Sequence, residues 1–149
     1  MPREPQPLVA NPDTRGEFIM IVDDDPLVTM LVERVLTTEG YRIVTASDAF
    51  KGIEIYKQYQ AQLDLVIMDF KMPGMDGMAL FNELRAINPD VPAALTSGFV
   101  EDEQLGAMLA NGLRGFIPKP LTQQKLLQKV RAILDGLQRE GRGQPPREA

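Results

Sequence analysis

The chain has 149 residues, 44% hydrophobic and 25% charged, with 21 acidic against 16 basic side chains and a net charge of −5. That length supports one sizeable core and is too short for two ordinary domains, and the composition excludes collagenous, coiled-coil and wholly disordered chains. With no Cys and no His, disulfides, thiolate chemistry and phosphohistidine donation are excluded too, and the acidic balance argues against a duplex-DNA surface.

Residues 1–17 carry several prolines and few large apolar side chains, which reads as a disordered leader. The domain is expected over 18–139, and 140–149, rich in Gly, Pro and Arg, reads as a flexible tail. No apolar run reaches the length of a membrane span and no secretory signal opens the chain, so a cytoplasmic protein without membrane contact is expected.

Phe18 to Val22 is a continuous apolar run stopped by three aspartates, the pattern of a strand buried on both faces. Pro26 suits the first turn of a helix in which Leu27, Leu31 and Val35 recur at helical spacing, and Gly40 supplies its stop. Tyr41 to Thr45 is a second strand, and Ser47 or Asp48 can cap a second helix containing Ala49, Ile53 and Tyr56. Leu63 to Met68 forms a third strand ending at Asp69. The turn signal Pro73, Gly74, Asp76, Gly77 then leads into a helix bearing Leu80, Phe81, Leu84 and Ile87. A fourth strand spans Val91 to Thr96, a fourth helix runs from about Glu101 to Asn111 with acidic residues in its first turn, and Gly115 to Pro118 is a short fifth strand. Thr122 can cap a last helix carrying Leu126, Leu127, Val130, Ile133, Leu134 and Leu137.

Five such βα units imply an α/β fold, a doubly wound five-stranded parallel sheet with helices on both faces. Right-handed crossovers leave the carboxyl ends of all strands on one edge, where open α/β sheets place their ligand sites. Asp23, Asp24, Asp69, Thr96, Ser97 and Lys119 all fall at such ends. Three carboxylates gathered there would repel by about 4 kcal/mol per pair at ~4 Å and an effective dielectric near 20, so a positive charge is required. Mg²⁺, a hard cation that takes carboxylates, waters and phosphate oxygens, suits the donor set, and Lys119 adds a mobile point charge suited to phosphate. A carboxylate can itself attack phosphorus, which demands charge neutralisation and alignment more than proton transfer, so a site without His is chemically sufficient.

The segments IMIVDDD at 19–25, DLVIMDFKMPGMDG at 64–77, ALTSG at 94–98 and GFIPKPL at 115–121 together resemble the receiver domain of two-component response regulators, over roughly Glu17 to Leu137. The resemblance implies a flavodoxin-like strand order, 2-1-3-4-5. It implies Asp69 as phosphoacceptor, Asp24 and Asp69 as direct Mg²⁺ ligands, Asp23 acting through a metal-bound water, and the backbone carbonyl of Lys71 as a further ligand. Asp25 would lie just outside the acidic pair. Ser97 matches the family's switch hydroxyl, Phe116 its aromatic switch position, and Lys119 its lysine before a proline. The implied partners are a histidine kinase or phosphotransfer protein upstream, and a downstream protein that reads the face of helix 4, strand 5 and helix 5. No direct nucleic-acid binding is implied, and no catalysis beyond self-phosphorylation and slow dephosphorylation. The TSG and FIPKP wording is most similar to receivers of hybrid kinases, so a fragment of a hybrid histidine kinase or larger regulator stands as the alternative to a single-domain regulator.

Taken singly, these residues read otherwise: Asp23 to Asp25 as a solvated loop, Ser97 as a backbone-capping hydroxyl, Lys119 as a surface lysine, Phe116 as core packing. An aspartyl phosphohydrolase would want a general acid soon after the nucleophile, whereas Phe70 and Lys71 follow Asp69. A flavin-binding module would want a glycine- or hydroxyl-rich phosphate loop where Asp23 to Asp25 stand, and a docking-only degenerate receiver would lack the intact acidic site.

Overall fold

The computed structural model describes residues 15–143. Five strands alternate with five helices: β1 Phe18–Val22, α1 Pro26–Thr38, β2 Arg42–Ala46, α2 Ala49–Tyr59, β3 Leu65–Asp69, α3 Gly77–Ile87, β4 Ala93–Ser97, α4 Asp102–Ala110, β5 Gly115–Pro118 and α5 Gln123–Gly143. All pairings are parallel and the sheet order is β2-β1-β3-β4-β5, as the resemblance implied.

The two-residue period of the strands divides the core. Met20, Val22, Val66, Met68 and Leu95 point to one face, where Tyr56 of α2, Leu80, Phe81 and Leu84 of α3 and Met108 of α4 cover them. Ile19, Ile21, Leu65, Ile67, Ala94 and Ile117 point to the other, under Val32, Val35 and Leu36 of α1 and Leu126, Val130 and Leu134 of α5. Apolar groups on both faces explain why the strands read as unbroken apolar runs in the sequence.

Three helices start from aspartate caps. Asp25, Asp48 and Asp76 accept hydrogen bonds from the backbone N–H groups of Leu27 (2.9 Å), Lys51 (2.8 Å) and Ala79 (2.9 Å). Each such cap contributes about 1 kcal/mol. The hydroxyl of Thr122 accepts from Lys125 N–H at 3.2 Å, as expected for the start of α5. At the far end of α1, Gly40 takes φ 104°, a conformation that suits glycine.

The last helix reaches into the stretch expected as tail: residues 140–143 form its end, and 144–149 lie outside the described residues. Glu140 accepts two hydrogen bonds from Arg114 Nη1, at 2.6 and 2.7 Å, which ties this end to the segment entering β5. Of the expected leader, residues 1–14 lie outside the described residues. Glu17 pairs with Arg131 at 2.9 Å, and the Gly16 carbonyl accepts from Arg42 Nε. Among the described residues no helix is long and apolar enough to cross a membrane.

Gly77 lets α3 begin hard against the third strand. A Cβ at this position would meet the Asp69 carbonyl oxygen at 2.7 Å and Phe70 Cα at 2.9 Å, both backbone atoms that cannot turn aside. Gly77→Ala is expected to destabilise the fold by about 1–3 kcal/mol, the usual range for overpacking. Urea unfolding measures it, and an unchanged midpoint would contradict this packing.

Candidate functional site

Parallel strands deliver their carboxyl ends to one edge, and four of the five end in or lead directly into an expected site residue there. Asp23 follows β1, Asp69 ends β3, Ser97 ends β4 and Lys119 follows β5. One carboxylate oxygen from each of Asp23, Asp24 and Asp69 lies within 4.8 Å of the others. Lys119 Nζ reaches Asp69 Oδ1 at 3.2 Å and Asp23 Oδ2 at 3.5 Å. Residues up to 96 positions apart thus meet in one pocket.

The backbone fixes this arrangement. Asp69 stands opposite Thr96 in the sheet, and the next residue, Phe70, donates its N–H to the Thr96 carbonyl at 2.9 Å. The Ser97 carbonyl accepts from Lys119 N–H at 2.9 Å, and the Lys119–Pro120 peptide is cis. Asp25, expected just outside the acidic pair, caps α1 while its N–H donates to Asp23 Oδ1 at 2.9 Å. Asp23 and Asp69 are buried, at 3% and 6% exposure, whereas Asp24 faces solvent.

Burial pushes the Asp69 carboxyl above the usual carboxylate range, and the neighbouring Asp23 charge adds to this against the pull of Lys119. Burial raises Asp23 as well, partly offset by the Asp25 N–H and by Lys119. For Lys119, burial favours the neutral amine, but the charges of Asp23 and Asp69 outweigh it and hold the ammonium above its ordinary range. The pocket therefore carries more negative charge than its own cation compensates. Three clustered carboxylates, one of them open to solvent, fit a hard divalent ion that takes oxygen ligands.

Lys71 sits on the exposed loop directly after β3, so its backbone follows Phe70 out of the sheet. The Phe70 carbonyl is occupied by Gly77 N–H at 2.7 Å. The Ser97 side chain is buried and held within its own loop: its hydroxyl donates to the Phe99 carbonyl at 2.6 Å and accepts from Phe99 N–H at 3.0 Å. Phe116 is half-buried in β5, opposite Leu95, and packs on the core face that contains Leu95 and Met108. Asp23, Asp24, Asp69 and Lys119 are brought into one cluster, and Phe116 lies two register positions back along the sheet from the Ser97 pairing. The role of Asp25 in fixing the Asp23 carboxylate was not read from the sequence, although a third acid just before a helix-opening proline is a capping signal.

The family model described as response regulator receiver domain matches residues 19–131. Chemotaxis protein CheY of Treponema pallidum is 32% identical over 117 residues, which cover 78% of this chain and 81% of that protein. Sensor kinase CckA of Brucella abortus is also 32% identical over 117 residues, 78% of this chain but 12% of the kinase. Among solved structures, a chain of the CheX–CheY–BeF3–Mg²⁺ complex from Borrelia burgdorferi aligns with a TM-score of 0.76 at 29% identity, over 85% of this chain and 96% of that one.

Because folding raises the carboxyls of Asp23 and Asp69, the folded chain holds protons more tightly than the unfolded one, and metal-free stability falls as pH rises from the ordinary carboxylate range through their raised folded values. Asp69→Asn removes one of these charges. It is expected to raise the melting temperature in EDTA at neutral pH by roughly 3 °C, about 1 kcal/mol for a domain of this size. The advantage should shrink as pH falls through the raised range of Asp69, where the native carboxyl takes up its proton as well. Thermal melts across this range test it, and a less stable variant at neutral pH would contradict the crowding of charge.

Proposed function

This chain belongs to the response regulator receiver domain family of two-component signalling, and we propose that it stores a phosphoryl group on Asp69, taken from a histidine kinase or a phosphotransfer protein. The observation that supports this most is the placement of Asp69 between an acidic pair and Lys119 at the carboxyl edge of the sheet. A carboxylate oxygen of Asp69 forms the bond to phosphorus as the donor's N–P bond breaks, and the electron pair of that bond stays on the donor imidazole. Lys119 is within reach of Asp69 Oδ1 and balances charge on the phosphoryl oxygens.

Asp24 and Asp69 would hold Mg²⁺ directly, Asp23 through a water, and the Lys71 carbonyl would complete the protein's share. Bound there, Mg²⁺ supplies the positive charge that three carboxylates and a phosphoryl group together require. A phosphoryl group on Asp69 draws the Ser97 hydroxyl away from Phe99, and the space it leaves admits the ring of Phe116. This alters the face of α4, β5 and α5 that a downstream protein reads. Inverting a 1:99 equilibrium this way requires about 5.5 kcal/mol of preference for the switched state.

The module serves a free-standing regulator and a larger protein alike. The match to 81% of a chemotaxis protein favours the first setting, and the match to 12% of a sensor kinase the second.

Acetyl phosphate with Mg²⁺ is expected to add the mass of one phosphoryl group to the native chain and none to Asp69→Asn, read by intact-mass spectrometry. Labelling without Mg²⁺, or equal labelling of the variant, would overturn the assignment. Lys119→Met separates the two cations: it should bind Mg²⁺ more tightly, because a competing positive charge is gone, yet label about tenfold more slowly. Weaker Mg²⁺ binding by calorimetry would contradict the placement of Lys119 on Asp23 and Asp69.

A further inference from the structure

At the amino edge of the sheet, opposite the carboxylate cluster, a groove of about 240 Å³ lies between the entries of two strands and the later turns of α5. Glu17, just before β1, and Asp64, just before β3, line one side, and Leu134, Leu137 and Gln138 line the other. The spacing 134, 137, 138 places these three on one flank of the helix. Nothing proposed above for Asp69 uses this edge of the molecule.

The segment that forms this wall is firmly held, although the sequence alone assigns residues 1–17 to a leader. Arg15 N–H donates to Glu17 Oε1 at 2.9 Å, while Glu17 Oε2 pairs with Arg131 of α5 at 2.9 Å. Arg42 holds the neighbouring carbonyls: its Nε donates to that of Gly16 and its backbone N–H to that of Glu17, each at 2.9 Å. Gly16 takes φ 76°, the left-handed region that favours glycine, so the chain turns between Arg15 and Glu17. Residues 1–14 therefore join the chain at the rim of the groove.

Composition indicates which of them suits it. Leu8 and Val9 are adjacent aliphatic residues, seven and six positions before Arg15, preceded by Pro5 and Pro7 and followed by Pro12. Six residues span up to about 20 Å, enough to fold back on a groove that begins at Glu17. Proline rings restrict the free chain, so ordering it costs less than ordering a glycine-rich one. Residues 144–149, which follow α5, hold no apolar side chain larger than proline. A cavity of about 150 Å³ already admits a benzene-sized group, so this groove accommodates one branched aliphatic side chain. We propose that the leader folds back across the amino edge and seats Leu8 in the groove, against Leu137 and the exposed edge of Leu134, with Val9 beside it. The leader then straps the start of β1 to the later turns of α5, the helix that borders the face proposed for a downstream protein.

The chain contains no Cys, so Gln6→Cys carries a nitroxide at one defined position of the full chain. The label should broaden the amide resonances of Asp64, Leu134, Leu137 and Gln138 and leave those of Asp23 and Asp24, at the opposite edge, unchanged. Adding Leu8→Ser with Val9→Ser should restore them, and the same two substitutions without the label should lower the melting temperature by about 3 °C. Broadening limited to residues 15–18, broadening that survives the two serine substitutions, or a melting temperature that does not fall would each overturn the seating of Leu8. A mixture of labelled chain with isotope-enriched native chain separates the sources. No broadening is expected in the native partner of that mixture, and broadening of its groove amides would make the occupant a second copy and overturn the intrachain strap.

Discussion

Lys119 Nζ, at 3.2 Å from Asp69 and 3.5 Å from Asp23, is the one cationic group among the described residues that relieves three carboxylates crowded within 4.8 Å. One ammonium cannot balance three carboxylates, and burial, to which the Asp23 charge adds at Asp69, makes the two buried acids hold protons more tightly than exposed ones would. That imbalance is what the proposed function draws on: a divalent cation would offset it and, once bound, would let Asp69 accept a dianionic phosphoryl group. It also sets stability against function, since the groups that crowd the pocket are unfavourable to the metal-free fold.

The rest of the molecule keeps these charges from moving apart. The parallel sheet fixes the ends of β1, β3, β4 and β5 at one edge, and its two core faces leave the strands no freedom to slide, because a one-residue slip would exchange the faces. The loops are pinned in turn. Asp25 and Asp76 cap the helices that leave the pocket, Asp25 N–H anchors the Asp23 carboxylate, and the absence of a side chain at Gly77 lets α3 start against the backbone of Asp69 and Phe70. The strand ends position Asp69 and Ser97, and the short loops that follow β1 and β5 carry Asp23, Asp24 and Lys119.

Much of this was legible in the sequence. Apolar runs stopped by aspartates marked β1 and β3, because strands buried on both faces have few polar positions to interrupt them. The edge strand β2 and the short β5 were found from their place between helices, since only one residue of β2 is fully buried. Element ends were less visible: β4 begins at Ala93 rather than Val91, because the Pro92 nitrogen lacks a hydrogen and only its carbonyl, which accepts from Val66 N–H, joins the ladder. The clustering of Asp23, Asp24, Asp69 and Lys119 followed from topology. The loop contacts of Ser97 with Phe99 and of Asp23 with Asp25 did not, since hydrogen bonds between residues two apart depend on local dihedral angles that residue type leaves open. The extension of α5 to Gly143 ran against two glycines and was hidden for the same reason, its visible support being the contact of Glu140 with Arg114, 26 positions away.

For Asp69 to accept phosphorus as proposed, four loops must converge on one cation. Mn²⁺, a hard ion of similar coordination to Mg²⁺, reports that convergence directly through paramagnetic broadening of nearby amide resonances. Amides of residues 23–25, 69–72, 97–99 and 119 should broaden together with one midpoint and recover when Mg²⁺ is added in excess. Broadening confined to residues 23–25, or broadening that Mg²⁺ does not reverse, would show an acidic loop binding ions on its own and would contradict a shared pocket around Asp69.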